Sequence, residues 1–299
     1  TEEWGVTPVA PPTTGGAWSA GGNLANGRYG AGAAGTQAAA LAFGGATPVV
    51  SNATEEYNGV ANTWSPGGNM ITARLSLAGA GTQTAALGFG GRNPTATSAT
   101  EEYNGVAQTW SAAPSNMIIA RNELAGSGTQ TSALAFGGQT PATTNATEQY
   151  ISGTWSAAPS NMITARLSLA GAGTQAAALA FGGKTPAATN ATEQYISGTW
   201  SAAPGNMSIA RYGLAGAGTQ TSALAFGGVI TNATEEYNSG TWSTAPANMI
   251  IARFTFPGAG TQTSALAIGG SPGNTNSTEE WGASPGVLIS SFVNGFNFS

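Results

Sequence analysis

The sequence predicts an all-β fold: a six-bladed β-propeller of four-stranded antiparallel blades, closed by its own N- and C-terminal strands. Three observations predict it. The stretch Gly-Thr-Gln-Thr-Ser-Ala-Leu-Ala-Phe-Gly-Gly at 128–138 recurs six times, with copies at 35–45, 81–91, 173–183, 218–228 and 260–270. The repeat glutamines, Gln37, Gln83, Gln130, Gln175, Gln220 and Gln262, follow one another at 46, 47, 45, 45 and 42 residues, a period that marks a repeat architecture. Each unit reads as four short strands, and no segment long enough for a helix keeps a 3.6-residue period free of Gly or Pro. Finally, the two ends of the chain lack complementary strands.

The unit at 121–162 shows the order. Residues 124–130 (Leu-Ala-Gly-Ser-Gly-Thr-Gln) form a first strand with almost no bulk, suited to the crowded position next to a propeller axis. Residues 132–136 form a second strand, with Leu134 and Phe136 on one face and Ala133 and Ala135 on the other. A bulky face of this kind packs on the Ala/Gly face of the next blade. Gly137-Gly138 ends the strand, and 139–145 is a polar loop holding Pro141. A third strand covers 146–150, a turn covers 151–153, and Thr154-Trp155-Ser156 opens a fourth. Four strands per unit of this length is the pattern of a propeller blade, since one unit alone cannot bury its apolar faces. A solenoid has no use for hairpin turns such as Asn58-Gly59 and Asn104-Gly105.

Three segments follow: an N-terminal strand and Pro-rich tether at 1–16, the propeller at 17–286, and an apolar tail at 287–299. The Trp18 segment has no first or second strand before it, and the inner pair at 256–270 has no repeat Trp after it. The Trp18 strand is therefore expected to complete the blade begun at 256–270, which removes exposed sheet edges. Two copies, 1–5 and 278–282, compete for the third strand of that blade, and the spacing favours 278–282. The spare first copy and the apolar tail would then contact a second copy of the chain.

Only 7% of residues are charged, and the chain has no Asp, His or Cys. Twelve of the 13 acidic residues lie in a Thr-Glu-Glu or Thr-Glu-Gln motif, Glu123 being the exception. Six of the seven arginines recur once per unit, Arg92 being the one outside the period. The charges are thus parts of the repeat. A net charge of −5 with no basic patch argues against nucleic-acid binding, and no apolar run is long enough for a membrane helix.

The ordered set Gly137-Gly138, Tyr150, Trp155 and Arg166 resembles a kelch repeat. There a Gly-Gly pair follows the second strand, Tyr lies in the third, Trp in the fourth, and Arg precedes the next blade. The resemblance covers roughly residues 17–281; ordinary kelch blades are bulkier and more charged. The Gly/Ala/Thr-rich flavour, with Ala-Thr-Glu-Glu-Tyr and Gly-Thr-Gln-Thr, is similar to predicted kelch-type proteins of tailed phages, notably marine and cyanobacterial ones. This implies a virion component such as a fibre, decoration or receptor-contacting protein. Its partners would be other virion or surface proteins, a second copy, or a host-surface glycan. The alternative is a bacterial extracellular carbohydrate-binding or adhesion protein.

Catalysis, cofactors and metals are not expected. Kelch-type copper oxidases use His and Cys ligands and sialidase propellers use Asp, and all three residues are missing here. A Ser nucleophile would lack a His base. Paired Glu could hydrolyse a glycoside, but these Glu are a repeated element and an active site needs asymmetry. The first motif Glu, at Glu55, Glu101, Glu148, Glu193, Glu235 and Glu279, is expected to pair with Arg28, Arg74, Arg121, Arg166, Arg211 and Arg253; a ring of cation-binding carboxylates is the other reading. The six Gln either line a channel mouth and hold water or sugar, or simply satisfy strand ends. Of eight Trp residues, six belong to the blade pattern, leaving Trp4 and Trp281 free to stack on a sugar.

Overall fold

The computed structural model describes residues 16–229 and 231–283. Six four-stranded antiparallel sheets make up the fold. Blade 3 is built from Ala125–Gly128, Ser132–Phe136, Thr147–Ile151 and Thr154–Ala157, in that order from the axis outward. Blades 1, 2, 4 and 5 repeat this order and start at Gly32–Gly35, Ala78–Gly81, Ala170–Gly173 and Ala215–Gly218. Each innermost strand contacts the innermost strands on either side, and the last, Gly258–Gly260, contacts Gly32–Gly35. The ring is closed.

Closure uses both ends of the chain. Blade 6 takes Gly258–Gly260, Ala265–Ile268 and Thr278–Ala283 from the C-terminal side and Gly16–Ala20 from the N-terminal side. The register pairs Trp18 with Trp281 and Ala17 with Gly282. The copy at 278–282 does hold the third-strand position; the spare copy at 1–5, the tether and the tail at 287–299 lie outside the described residues. No helix among the described residues is long and apolar enough to cross a membrane.

The core is a set of layers between blades. One layer joins Leu87 and Phe89 of blade 2 to Ala133, Ala135, Tyr150 and Trp155 of blade 3. The bulky face of each second strand thus meets the small face of the next blade, as the alternation predicts. The fit is close: a Cβ on Gly126 would stand 2.5 Å from Phe89 Cζ, and Gly171, Gly216 and Gly258 stand at 2.6 Å from the phenylalanine of the blade before. At the sixth interface both partners change. Ala33 replaces the glycine and Ile268 replaces the phenylalanine, and the two share one apolar layer. Volume is conserved across the closing seam, as a close-packed interior requires.

Polar stitches cross the same interfaces. Each fourth-strand Trp donates its indole N–H to the first Thr of the preceding third strand, for example Trp155 to Thr100 at 2.9 Å. The seam obeys the same rule, with Trp18 bonded to Thr234 at 2.9 Å and Trp64 to Thr278 at 3.1 Å. Trp18 therefore acts as the Trp of blade 6.

Two details differ from the sequence expectation. The first strand is shorter than 124–130, because Gly128 has φ +111 and starts the turn. The loop at 139–145 is not plain coil: Gln139–Thr140 pairs with Ala142–Thr143 as a small hairpin around Pro141. Blades 1 and 4 have the same hairpin.

Candidate functional site

The propeller has two faces. One carries the Gly-Thr-Gln turns and the hairpins between third and fourth strands. The other carries the loops after each Gly-Gly pair and the linkers that hold each repeat Arg. A narrow channel follows the axis between them, with volumes of about 90, 140 and 120 Å³ at three successive levels from the Arg face. Its far level is walled by first-strand Gly and Ala with Ser127, and its middle level by first-strand Gly and Ala together with the leucines that precede them and Phe256 and Pro257.

The repeat Arg and Glu residues form six ion pairs, each within one blade. Arg74–Glu101, Arg121–Glu148, Arg166–Glu193, Arg211–Glu235 and Arg253–Glu279 lie at 2.7–3.1 Å, and Arg28 pairs with Glu55. All are buried. Each Arg also holds backbone carbonyls at the Gly-Gly end; Arg121 donates to Gly137 at 3.1 Å and Ala146 at 2.5 Å. Each Glu accepts from linker backbone, as Glu148 does from Ile118 and Ile119 at 2.6 and 3.3 Å. The pair thus ties a blade to the linker that enters it. Burial pulls Arg74 and Arg121 down to about 10, opposed by Glu101 and Glu148. Among the described residues no carboxylate ring forms on the axis, and no three acidic side chains gather as a metal site.

Three of the four second motif Glu among the described residues work between blades. Tyr103 and Tyr150 donate to Glu56 and Glu102 of the preceding blade at 2.6 Å, and Tyr57 to Glu280 at 2.5 Å. Burial first, and then these carboxylates, push the three phenols well above their ordinary range. Where Gln149 and Gln194 replace Glu, they accept from Gln175 and Gln220 instead, at 2.9 and 3.1 Å.

The repeat glutamines do not line the channel. Gln130 spans to the preceding blade and donates to the carbonyls of Ala86 and Tyr103 at 3.0 and 2.8 Å. Gln37, Gln83 and Gln262 do the same in their blades. Their amide nitrogens serve strand ends. Trp281 is no free platform either: it is 1% exposed, lies tilted against Trp18 and donates to the Gln262 carbonyl at 2.9 Å. It fills the place that Tyr takes in the other blades, so its exposure was misread from the broken pattern. Trp4 lies outside the described residues.

The Arg-face mouth is where the repeat breaks. Gly30, Ser76, Glu123, Ser168, Gly213 and Thr255 surround it. Their backbones form a closed hydrogen-bonded ring: Ser76 N–H donates to Gly30, Glu123 to Ser76, Ser168 to Glu123, Gly213 to Ser168, Thr255 to Gly213 and Gly30 to Thr255, at 2.6–2.9 Å. All six have φ between +52 and +65. That is strained for a β-branched residue such as Thr255, and such strain persists only where neighbours enforce it. The ring supplies that enforcement. Its side chains differ from blade to blade, with one carboxylate, Glu123, accepting from the Ser168 hydroxyl. The sequence carried this signal as the one Glu outside the motif.

No family model matches the chain, and no curated protein matches it. Among solved structures, that of YjhT superposes with a TM-score of 0.72, covering 87% of this chain and 95% of that one at 12% identity. The likeness is one of fold. It agrees with a six-bladed propeller, an architecture compatible with a binding or structural role.

Proposed function

We propose that this protein is a non-enzymatic kelch-like propeller that serves as a structural or receptor-contacting part of a virion. One observation carries the reading. The repeated polar groups are spent on building the ring: Arg on Glu, Gln on strand ends, Trp on Thr. The axial mouth and the loops after the Gly-Gly pairs on the Arg face vary from blade to blade, and the hairpins on the opposite face vary in length. A rigid ring that presents varied loops is suited to contact, and a fold alone does not assign chemistry. The Gly/Ala/Thr-rich kelch resemblance supplies the virion context.

The test is gradient purification of particles from the source, followed by mass spectrometry. The chain should co-purify with particles at a fixed ratio to the major structural proteins. Recovery only from the secreted or cell-surface fraction would reject the virion reading.

A second reading, an extracellular carbohydrate-binding or adhesion protein, is favoured by one observation. Glu123 sits with Ser76, Ser168 and Thr255 around one mouth, a set of acceptors and hydroxyls that suits sugar hydroxyl groups. Glycan-array binding lost in Glu123→Ala would support it.

A further inference from the structure

Arg92 is the only arginine outside the repeat period. It follows the Gly-Gly pair of blade 2, where the other blades have Ala46, Gln139, Lys184, Val229 and Ser271. Asn122 breaks the pattern at another position. It precedes Glu123, where the other linkers have Tyr29, Leu75, Leu167, Tyr212 and Phe254. The fold brings these two exceptions together. Arg92 and Asn122 line one cleft of about 360 Å³ between the loops of blades 2 and 3, with Pro94, Thr95, Gln139 and Thr140.

Two donors in this cleft lack acceptors among the described residues. Asn122 is 3% exposed, yet its Nδ2 has no partner there. A buried amide without an acceptor is destabilising, so such a group calls for a reason. Arg92 has no carboxylate within ion-pair distance among the described residues, and its buried Nε is unpartnered. An orphan Nε alone means little, because five repeat arginines have one too; those five are neutralised by Glu and Arg92 is not. The matching cation two blades on, Lys184, lies 4.6 Å over the Tyr212 ring and is accounted for. Among the described residues, no acidic one lines the cleft.

We propose that this cleft binds a small ligand through its carboxylate, taken by the Arg92 guanidinium and the Asn122 amide together. A planar guanidinium fork matches a carboxylate, and a single cation matches a single negative charge. Gln139, Thr95 and Thr140 both donate and accept, so they suit hydroxyl groups on the body of the ligand. The inference does not depend on a virion role, because it concerns recognition at one cleft.

The variants that test it use residues already present at equivalent positions: Arg92→Ala, as at Ala46, and Asn122→Leu, as at Leu75. Both are expected to fold, and Asn122→Leu is expected to be at least as heat-stable as the parent, having lost an orphan donor. Binding is measured by NMR or calorimetry at low salt with glucuronate, propionate and neutral methyl glucoside. The carboxylates should bind and methyl glucoside should not, and each variant should weaken binding by about tenfold or more. Stronger glucuronate than propionate binding would support the hydroxyl contacts, and equal binding would confine recognition to the carboxylate itself, which also supports the proposal. Binding of methyl glucoside as tight as glucuronate, binding unchanged in both variants, or no carboxylate binding at millimolar concentration would overturn it.

Discussion

The Arg121 guanidinium lies 3.0 Å from the Glu148 carboxylate, and both side chains are out of solvent. Removing one partner strands a buried charge. Glu148→Gln should therefore cost about 3–5 kcal/mol, read from the urea midpoint, while replacing both residues by Met should cost clearly less. A single variant as stable as the parent would mean the pair does not hold the blade.

The Phe89–Gly126 contact predicts a second outcome. Gly126→Ala puts a methyl 2.5 Å from the Phe89 ring and should destabilise by about 1–3 kcal/mol, the usual cost of overpacking. The closing seam shows the compensation, since Ala33 there faces Ile268. The double variant Gly126→Ala/Phe89→Ile should lose less than the sum of the two single losses. Strict additivity, measured in the same urea series, would reject volume matching between blades.

Tyr57, Tyr103 and Tyr150 predict an alkaline effect. Burial and the adjoining carboxylates raise each phenol in the folded state. The folded chain then holds these protons more tightly than the unfolded chain. The resulting stability is complete below the ordinary phenol value near 10 and is lost as pH rises above it. In an ultraviolet titration of native protein to pH about 11, the parent and the triple Tyr→Phe variant should gain the same phenolate absorbance. In urea the parent should exceed the variant by three tyrosines. A smaller native signal in the variant would show that the three phenols ionise normally.

Much of the fold was legible because a propeller repeats its reasons. The strand order followed from Leu134 and Phe136 alternating with Ala133 and Ala135, and closure followed from Trp18 lacking inner strands. The six Arg–Glu pairs were legible as two charges sharing one period. The candidate site was harder to read, because it consists of exceptions to the period. Glu123 and Arg92 stood out as exceptions, but nothing in the sequence placed Arg92 beside Asn122, since 30 residues and a change of blade separate them. Trp281 was misread for a related reason: an aromatic swap at the Tyr position looks free in sequence and is buried in the fold.

A glutamine clamp gives a further outcome. Gln130 fixes two carbonyls of the preceding blade, so Gln130→Ala should cost about 1–3 kcal/mol, since its loss leaves acceptors unpaired. Local hydrogen exchange should rise at the blade 2–3 interface. An unchanged exchange pattern would return the glutamines to the status of ligand candidates.

The propeller is one closed ring in which Gly16–Ala20 and Thr278–Ala283 share a blade. Ala17 and Gly282 are paired in that blade, and among the described residues a Cβ on Gly282 would meet only Gln37 Nε2, at 4.0 Å. The chain has no cysteine of its own, and paired residues of adjacent antiparallel strands lie within disulfide range. The most direct measurement is oxidation of the Ala17→Cys/Gly282→Cys variant at low concentration, followed by non-reducing electrophoresis and mass mapping. The ring predicts a monomer with a single internal 17–282 link, formed in high yield and raising the melting temperature. Free thiols after oxidation, or links found only between chains, would contradict it.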